Sequence, residues 1–127
     1  MDLSNATIAA NVAVEDLTRA LSFYHEKLGL KTMAYTDFFG AAISTDGSAI
    51  SLAQRSKVAS DEDSVNFTVK DIEATIKELK SRGVVFQDYD TDRLKTVNHV
   101  SEYKGFKAAW FKDSEGNTLQ INQSPQE

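Results

Sequence analysis

The sequence predicts an α+β fold: two tandem βαβββ modules whose curved mixed sheets surround a cleft, with the helices on the outside. Three observations carry this. AAWFKDSEGNTLQINQ (Ala108–Gln123) nearly repeats AAISTDGSAISLAQ (Ala41–Gln54). VEDL at Val14–Leu17 matches VKDI at Val69–Ile72 at a shift of 55, while the hairpins match at shifts of 68 and 69. The order strand, helix, three strands also restarts halfway along the chain. One such unit cannot bury both faces of its small sheet, so two must cooperate.

The elements follow in order. Ala6 to Val14 is apolar and strand-like. Glu15-Asp16 offers a helix cap, and Leu17, Ala20, Leu21, Tyr24 and Leu28 follow at helical spacing until Gly29. Leu30–Thr36, Phe38–Ser44 and Ser48–Gln54 read as strands, the last two joined by the hairpin signal Asp46-Gly47. A polar linker, RSKVASDE, runs from Arg55 to Glu62. Ser64–Val69 is the restarting strand. Lys70-Asp71 then caps a helix with Ile72, Ile76 and Leu79 on one face and the i,i+4 pairs Glu73–Lys77 and Glu78–Arg82 outside. Gly83 ends it, Val84–Asp90 is a strand, and a longer polar loop leads to the hairpin Phe106–Gln123. The expected organisation is one domain over 1–127, with module one at 6–54, a linker at 55–62 and module two at 63–124.

Composition narrows the function. The charge sum of −5 argues against nucleic acid, which needs a basic face. The absence of cysteine removes disulfides, thiolate metal sites and thiol catalysis. The opening residues have no positive region followed by a long apolar stretch, and nothing approaches a membrane span, so a cytoplasmic protein is expected. The N-x-S/T matches at Asn5, Asn66 and Asn122 are then chance occurrences.

Strand alternation sorts the side chains. Ile8, Ala10, Val12 and Val14 should meet a helix, as should Val65, Phe67 and Val69, and Leu119 and Ile121. The opposite faces carry Ala9 and Asn11; Ser51; Ser64, Asn66 and Thr68; Gln120 and Asn122. A type I turn at DSEG with Gly116 in a left-handed position sets Trp110 opposite Gln120, adding the single tryptophan to this second face. Such a face either stands in water or lines a cleft. An aromatic among small neutral polar groups favours a ligand cleft.

VEDLTRALSFYHEKLGL (Val14–Leu30), VKDIEATIKELKSRGV (Val69–Val84) and AAWFKDSEGNTLQIN (Ala108–Asn122) resemble the vicinal oxygen chelate superfamily. That superfamily includes glyoxalase I, extradiol dioxygenases, fosfomycin-resistance thiol transferases and bleomycin-resistance proteins. The last segment resembles the "FxDPxGNxxE" ending, with Ser114 in place of proline. The resemblance implies four cleft-face metal ligands in metal-using members, usually histidine or glutamate. The corresponding residues here are Ala9, Ser51, Ser64 and Gln120. A methyl group, two hydroxyls and an amide are poor ligands for a divalent transition metal, so no metal and no cofactor is expected.

Besides a stress-related or regulatory module whose sheets mainly mediate dimerisation, two functions remain open. One is a metal-free, homodimeric protein, similar to bleomycin-resistance proteins, that binds a small organic molecule, an antibiotic among the candidates, against Asn11, Ser51, Ser64, Asn66, Trp110 and Gln120. The other is a lyase or isomerase of the glyoxalase I type with a non-standard metal site or none. In that case His99, in the loop KTVNHVSEYKG, is the acid/base candidate, leaning over the cleft mouth beside Tyr103. His25 reads as a solvent-facing helix residue. DYDTDR (Asp88–Arg93) fails as a calcium loop, since Arg93 and His99 occupy the positions for glycine and glutamate. It reads instead as an acidic edge strand that resists aggregation.

Overall fold

The computed structural model describes residues 3–4, 9–36, 40–45, 48–55 and 60–125. Ile8, the Asp46-Gly47 turn and Asn5 lie outside them. The first sheet holds β1 (Ala9–Val14), β2 (Lys31–Thr36), β3 (Gly40–Thr45) and β4 (Ser48–Gln54) in the order β1-β4-β3-β2. The second holds β5 (Ser60–Thr68), β6 (Phe86–Gln87), β8 (Phe106–Lys112) and β9 (Asn117–Gln123) in the order β5-β9-β8-β6, with β7 (Ser101–Tyr103) also on β8. In each sheet the first strand runs parallel to the last (β1 with β4, β5 with β9), and the hairpins are antiparallel. The fold is α+β, with two tandem modules.

The helices form for the same reasons in both halves. Asp16 caps α1 (Leu17–Ser22) by accepting from the Arg19 amide at 3.0 Å, and Asp71 caps α2 (Ile72–Ser81) by accepting from the Ala74 amide at 3.0 Å. A second acceptor reaches each helix start from the last strand of its own module. Gln54 Oε1 takes the Leu17 amide at 2.9 Å, and Gln123 Oε1 takes the Ile72 amide at 2.7 Å. Two of the orphan donors at each helix start are therefore satisfied by duplicated residues. Leu17, Ala20 and Tyr24 of the first helix and Ile72, Ile76 and Leu79 of the second join Val12, Val14, Ile50, Leu52, Phe86, Phe111, Leu119 and Ile121 in one buried core.

The modules are fastened by the turn of the second hairpin. Asp113 Oδ1 accepts from the Glu115 and Asn117 amides at 2.8 Å each, and Gly116 closes the turn at φ +88°. The same turn reaches into module one. The Tyr24 hydroxyl donates to Asp113 Oδ2 at 2.7 Å, and Asn117 Nδ2 donates to the Ala13 carbonyl at 2.8 Å. Glu115 Oε1 accepts from the Glu15 and Asp16 amides at 3.0 and 2.8 Å.

Several expectations are corrected. The first helix is α-helical only to Ser22 and continues as a π-helical turn, Phe23–Lys27, a widening that coincides with the fully buried Tyr24. β5 begins at Ser60, inside the stretch read as a linker, because its irregular pairing with β9 extends to Ser60 and Asn117. The strand expected over Val84–Asp90 shrinks to Phe86–Gln87; the chain then leaves β8 and forms isolated bridges, Asp90 with Lys95 and Val97 with Val100. The loop before β8 contains β7, which sequence reading missed. Glu78 pairs with Arg82 at 3.3 Å as expected, but Glu73 reaches across to Lys107 at 3.0 Å rather than along the helix to Lys77. Ala10, assigned to the core, is exposed because it faces a groove between the modules.

Candidate functional site

Register fixes which side chains share the face turned away from the helices. Asn66 pairs with Gln120, Gln120 with Trp110, and Trp110 with Gln87, so these four form one rung across the second sheet. The next rung is Thr68, Asn122, Ala108 and Ser101. A hydrogen-bonded relay links the two: Thr68 Oγ1 donates to Asn122 Oδ1, and Asn122 Nδ2 donates to Gln120 Oε1, both at 2.9 Å. Tyr89 stands edge-on to Trp110 with ring centroids 5.5 Å apart, and its hydroxyl donates to Gln87 Oε1 at 2.7 Å. On the other side of Trp110, Lys112 Nζ donates to Thr118 Oγ1 at 2.7 Å.

Beyond the second rung the face ends in Tyr103 and Phe106, paired across β7 and β8 and exposed at 71% and 58%. Between these rings and the amides of Gln120 and Asn122 lies a pocket of about 340 Å³. Aromatic walls with a few oriented amides suit an organic ligand held by stacking and neutral hydrogen bonds.

The six predicted binding residues are only partly brought together. Trp110, Gln120 and Asn66 share a rung. Asn11 and Ser51 pair with each other in the first sheet. Ser64 lies where the β5 register shifts, and with Asn66 it borders the groove between the modules. Sequence reading missed Gln87, Tyr89 and Lys112, and it set Asn122 on this face without a binding role. Alternation outward from Trp110 would have found Lys112, and the pattern VVFQDYD, with Phe86 facing inward, would have found Gln87.

His99 lies on the opposite side from that expected. Its ring stacks on Phe86 with centroids 5.8 Å apart, and Phe86 packs on Phe111 in the core beneath α2. His99 Nδ1 bonds Asp88 Oδ1 at 2.9 Å, and Nε2 lies 3.2 Å from Lys80 Nζ of α2. An ammonium only donates, so Nε2 accepts and Nδ1 carries the proton given to Asp88. Phe86 and Gln87 point to opposite faces, so His99 lies behind the sheet from Trp110. His25 is exposed, and its Nδ1 donates to the Leu30 carbonyl at 2.9 Å.

The four residues that the family resemblance sets at metal-ligand positions are poor donors for a metal. Ala9 supplies no donor, Ser51 and Ser64 supply neutral hydroxyls, and the Gln120 carbonyl oxygen already accepts from Asn122. Among the described residues no three His, Cys, Asp or Glu side chains gather as a metal site, and no helix is long and apolar enough to cross a membrane.

No curated protein matches the chain by sequence. Solved structures share the fold. A member of the glyoxalase/bleomycin resistance protein/dioxygenase superfamily from Sphaerobacter thermophilus superposes with a TM-score of 0.76 at 20% identity, over 97% of this chain and 100% of its own. TnmS3, an antibiotic binding protein from Streptomyces sp. CB03234, gives 0.66 at 19% identity over 94% and 98%. The fosfomycin resistance protein FosX from Listeria monocytogenes gives 0.69 at 10% identity over 94% and 93%. The family model for the Glyoxalase/Bleomycin resistance protein/Dioxygenase superfamily matches residues 7–121, and the chain belongs to that superfamily.

Proposed function

We propose that this protein is a metal-free binding protein that holds a small organic molecule, an antibiotic among the candidates, against the face of Trp110 and Gln120. The observation that carries the reading is the rung Asn66–Gln120–Trp110–Gln87, a half-exposed tryptophan walled by amides and by Tyr89 on the face away from the core. The adjoining 340 Å³ pocket falls at the small end of the range for ligand sites. An antibiotic binding protein and a fosfomycin resistance protein share the fold, which supports an antibiotic as one candidate ligand. Asn11, Ser51 and Ser64 complete the polar wall from the first sheet and from β5. The single domain works as a cytoplasmic homodimer whose second copy covers exposed strand edges. A scattering mass near the 14.0 kDa of one chain sinks the dimer.

The test uses the single tryptophan. Its fluorescence is followed against aromatic and cationic antibiotics and glutathione conjugates, with and without a divalent metal. Saturable quenching that ignores metal supports the proposal. A response that requires metal overturns it and favours a glyoxalase-type lyase or isomerase.

A further inference from the structure

A second cavity lies away from the Trp110 ring. A groove of about 1080 Å³ runs between the modules, where β1 and β5, the end strands of their sheets, lie side by side without pairing. Its walls are Leu28, Leu30 and Ile50 from module one and Val65, Phe67 and Leu79 from module two. Five of these six side chains are aliphatic and offer dispersion and desolvation, while Ser64, Asn66, Thr68 and Thr75 add neutral polar groups to the lining. Ala10, on β1, leaves the floor open where a larger residue would fill it.

Among the described residues one cation stands in the lining. Lys70, exposed just before α2, makes no ion pair among the described residues. The two carboxylates nearest it along the chain are engaged elsewhere: Asp71 caps the Ala74 amide and Glu73 pairs with Lys107. An apolar trough lined by an ammonium that makes no ion pair among the described residues complements a chain with one anionic end. A single ammonium is a point charge rather than the fork that would select a phosphate.

We infer that the inter-module groove binds a single-chain aliphatic monocarboxylate, with the chain between Leu28, Ile50, Val65 and Phe67 and the carboxylate at Lys70. The groove shares Ser64, Asn66 and Thr68 of β5 with the Trp110 face, but Val65 and Phe67 of its apolar wall point to the opposite face of that strand, and the inference does not depend on the function proposed for Trp110.

The test titrates dodecanoate, below its aggregation limit, into the full-length protein by calorimetry, with dodecanol as the uncharged control. Saturable one-to-one binding of dodecanoate is expected. Lys70→Glu, an exposed substitution, should weaken it about tenfold or more while leaving dodecanol unaffected. Val65→Trp, which fills the groove, should remove both ligands. The proposal is overturned by no saturable binding to the wild type, by dodecanoate binding that Lys70→Glu leaves unchanged, or by dodecanol binding as tightly as dodecanoate. Loss of dodecanoate binding in Trp110→Ala would place the chain on the other face and overturn it equally. Lys70→Glu keeps the test valid should Val65→Trp fail to fold.

Discussion

Arg19 and Glu115, 96 positions apart, hold the two modules together through paired hydrogen bonds, Nε to Oε2 at 2.6 Å and Nη2 to Oε1 at 2.9 Å. The Glu115 side chain is fully buried while Arg19 is half-exposed, so the carboxylate depends on the bond more than the guanidinium does. Arg19, the Asp16 amide and the Ser114 hydroxyl outweigh the cost of burial and lower the Glu115 pKa to about 2.

A folded-state pKa below the unfolded one gives stability that is complete above the unfolded value and lost as pH falls through the folded one. The Glu115 contribution is therefore full above about pH 4.5 and drains away toward pH 2. Glu115→Gln should lower the unfolding free energy at neutral pH by on the order of 2 kcal/mol, and the gap to wild type should close on acidification through that window. Denaturant titrations across the range measure this. A gap that stays constant with pH would refute the ion-pair account.

The Tyr24 hydroxyl serves the same turn from within the core. Burial and the neighbouring Asp113 carboxylate push its pKa far above the ordinary tyrosine value. Because the folded pKa is raised, the phenol's contribution is full below about pH 10 and is lost above it. Near-ultraviolet absorbance should show one of the four tyrosines ionising only as the protein unfolds in alkali, a phase that Tyr24→Phe removes. The variant should cost about 1 kcal/mol, since Asn117 Nδ2 still donates to the same Asp113 oxygen.

What the sequence revealed and what it hid have physical causes. Trp110 opposite Gln120 was legible because the turn fixes register, and register fixes faces. Helix caps were legible because Asp16 and Asp71 act within three residues. Glu115 was not, because a bond across 96 positions leaves no local period. Ala10 shows a subtler limit: alternation says which face a residue is on, not whether anything covers it. β7 and His99 were hidden in a loop where Asn98 and His99 take positive φ values, a backbone that no side-chain pattern announces. The notion of His99 over the cleft failed for that reason, while the repeat survived down to matching glutamines.

Those glutamines can be compared directly. Gln54 and Gln123 accept the amides of Leu17 and Ile72, but the second bond is buried and the first only partly so. Removing an acceptor in water leaves the donor to water; removing a buried one leaves it unsatisfied. Gln54→Ala should cost about 0.5 kcal/mol and Gln123→Ala about 2 kcal/mol. Equal losses in chemical denaturation would mean that burial does not decide these caps.

His99 gives the sharpest separation between a structural and a chemical role. Its ring covers Phe86 and ties Asp88 to Lys80, and its backbone sits at φ +73°, a conformation glycine adopts freely and alanine does not. Both His99→Ala and His99→Gly lose the side-chain contacts, but only alanine keeps the backbone penalty. His99→Ala should therefore cost about 1–2 kcal/mol and His99→Gly roughly 1 kcal/mol less. Neither variant should alter ligand quenching of Trp110, because the ring is behind the sheet. Hemithioacetal turnover with added nickel or zinc, assayed in wild type and His99→Ala, provides the opposing readout. Turnover in the wild type that vanishes in a folded His99→Ala protein would make His99 an acid/base group despite its position and replace the binding function with a catalytic one.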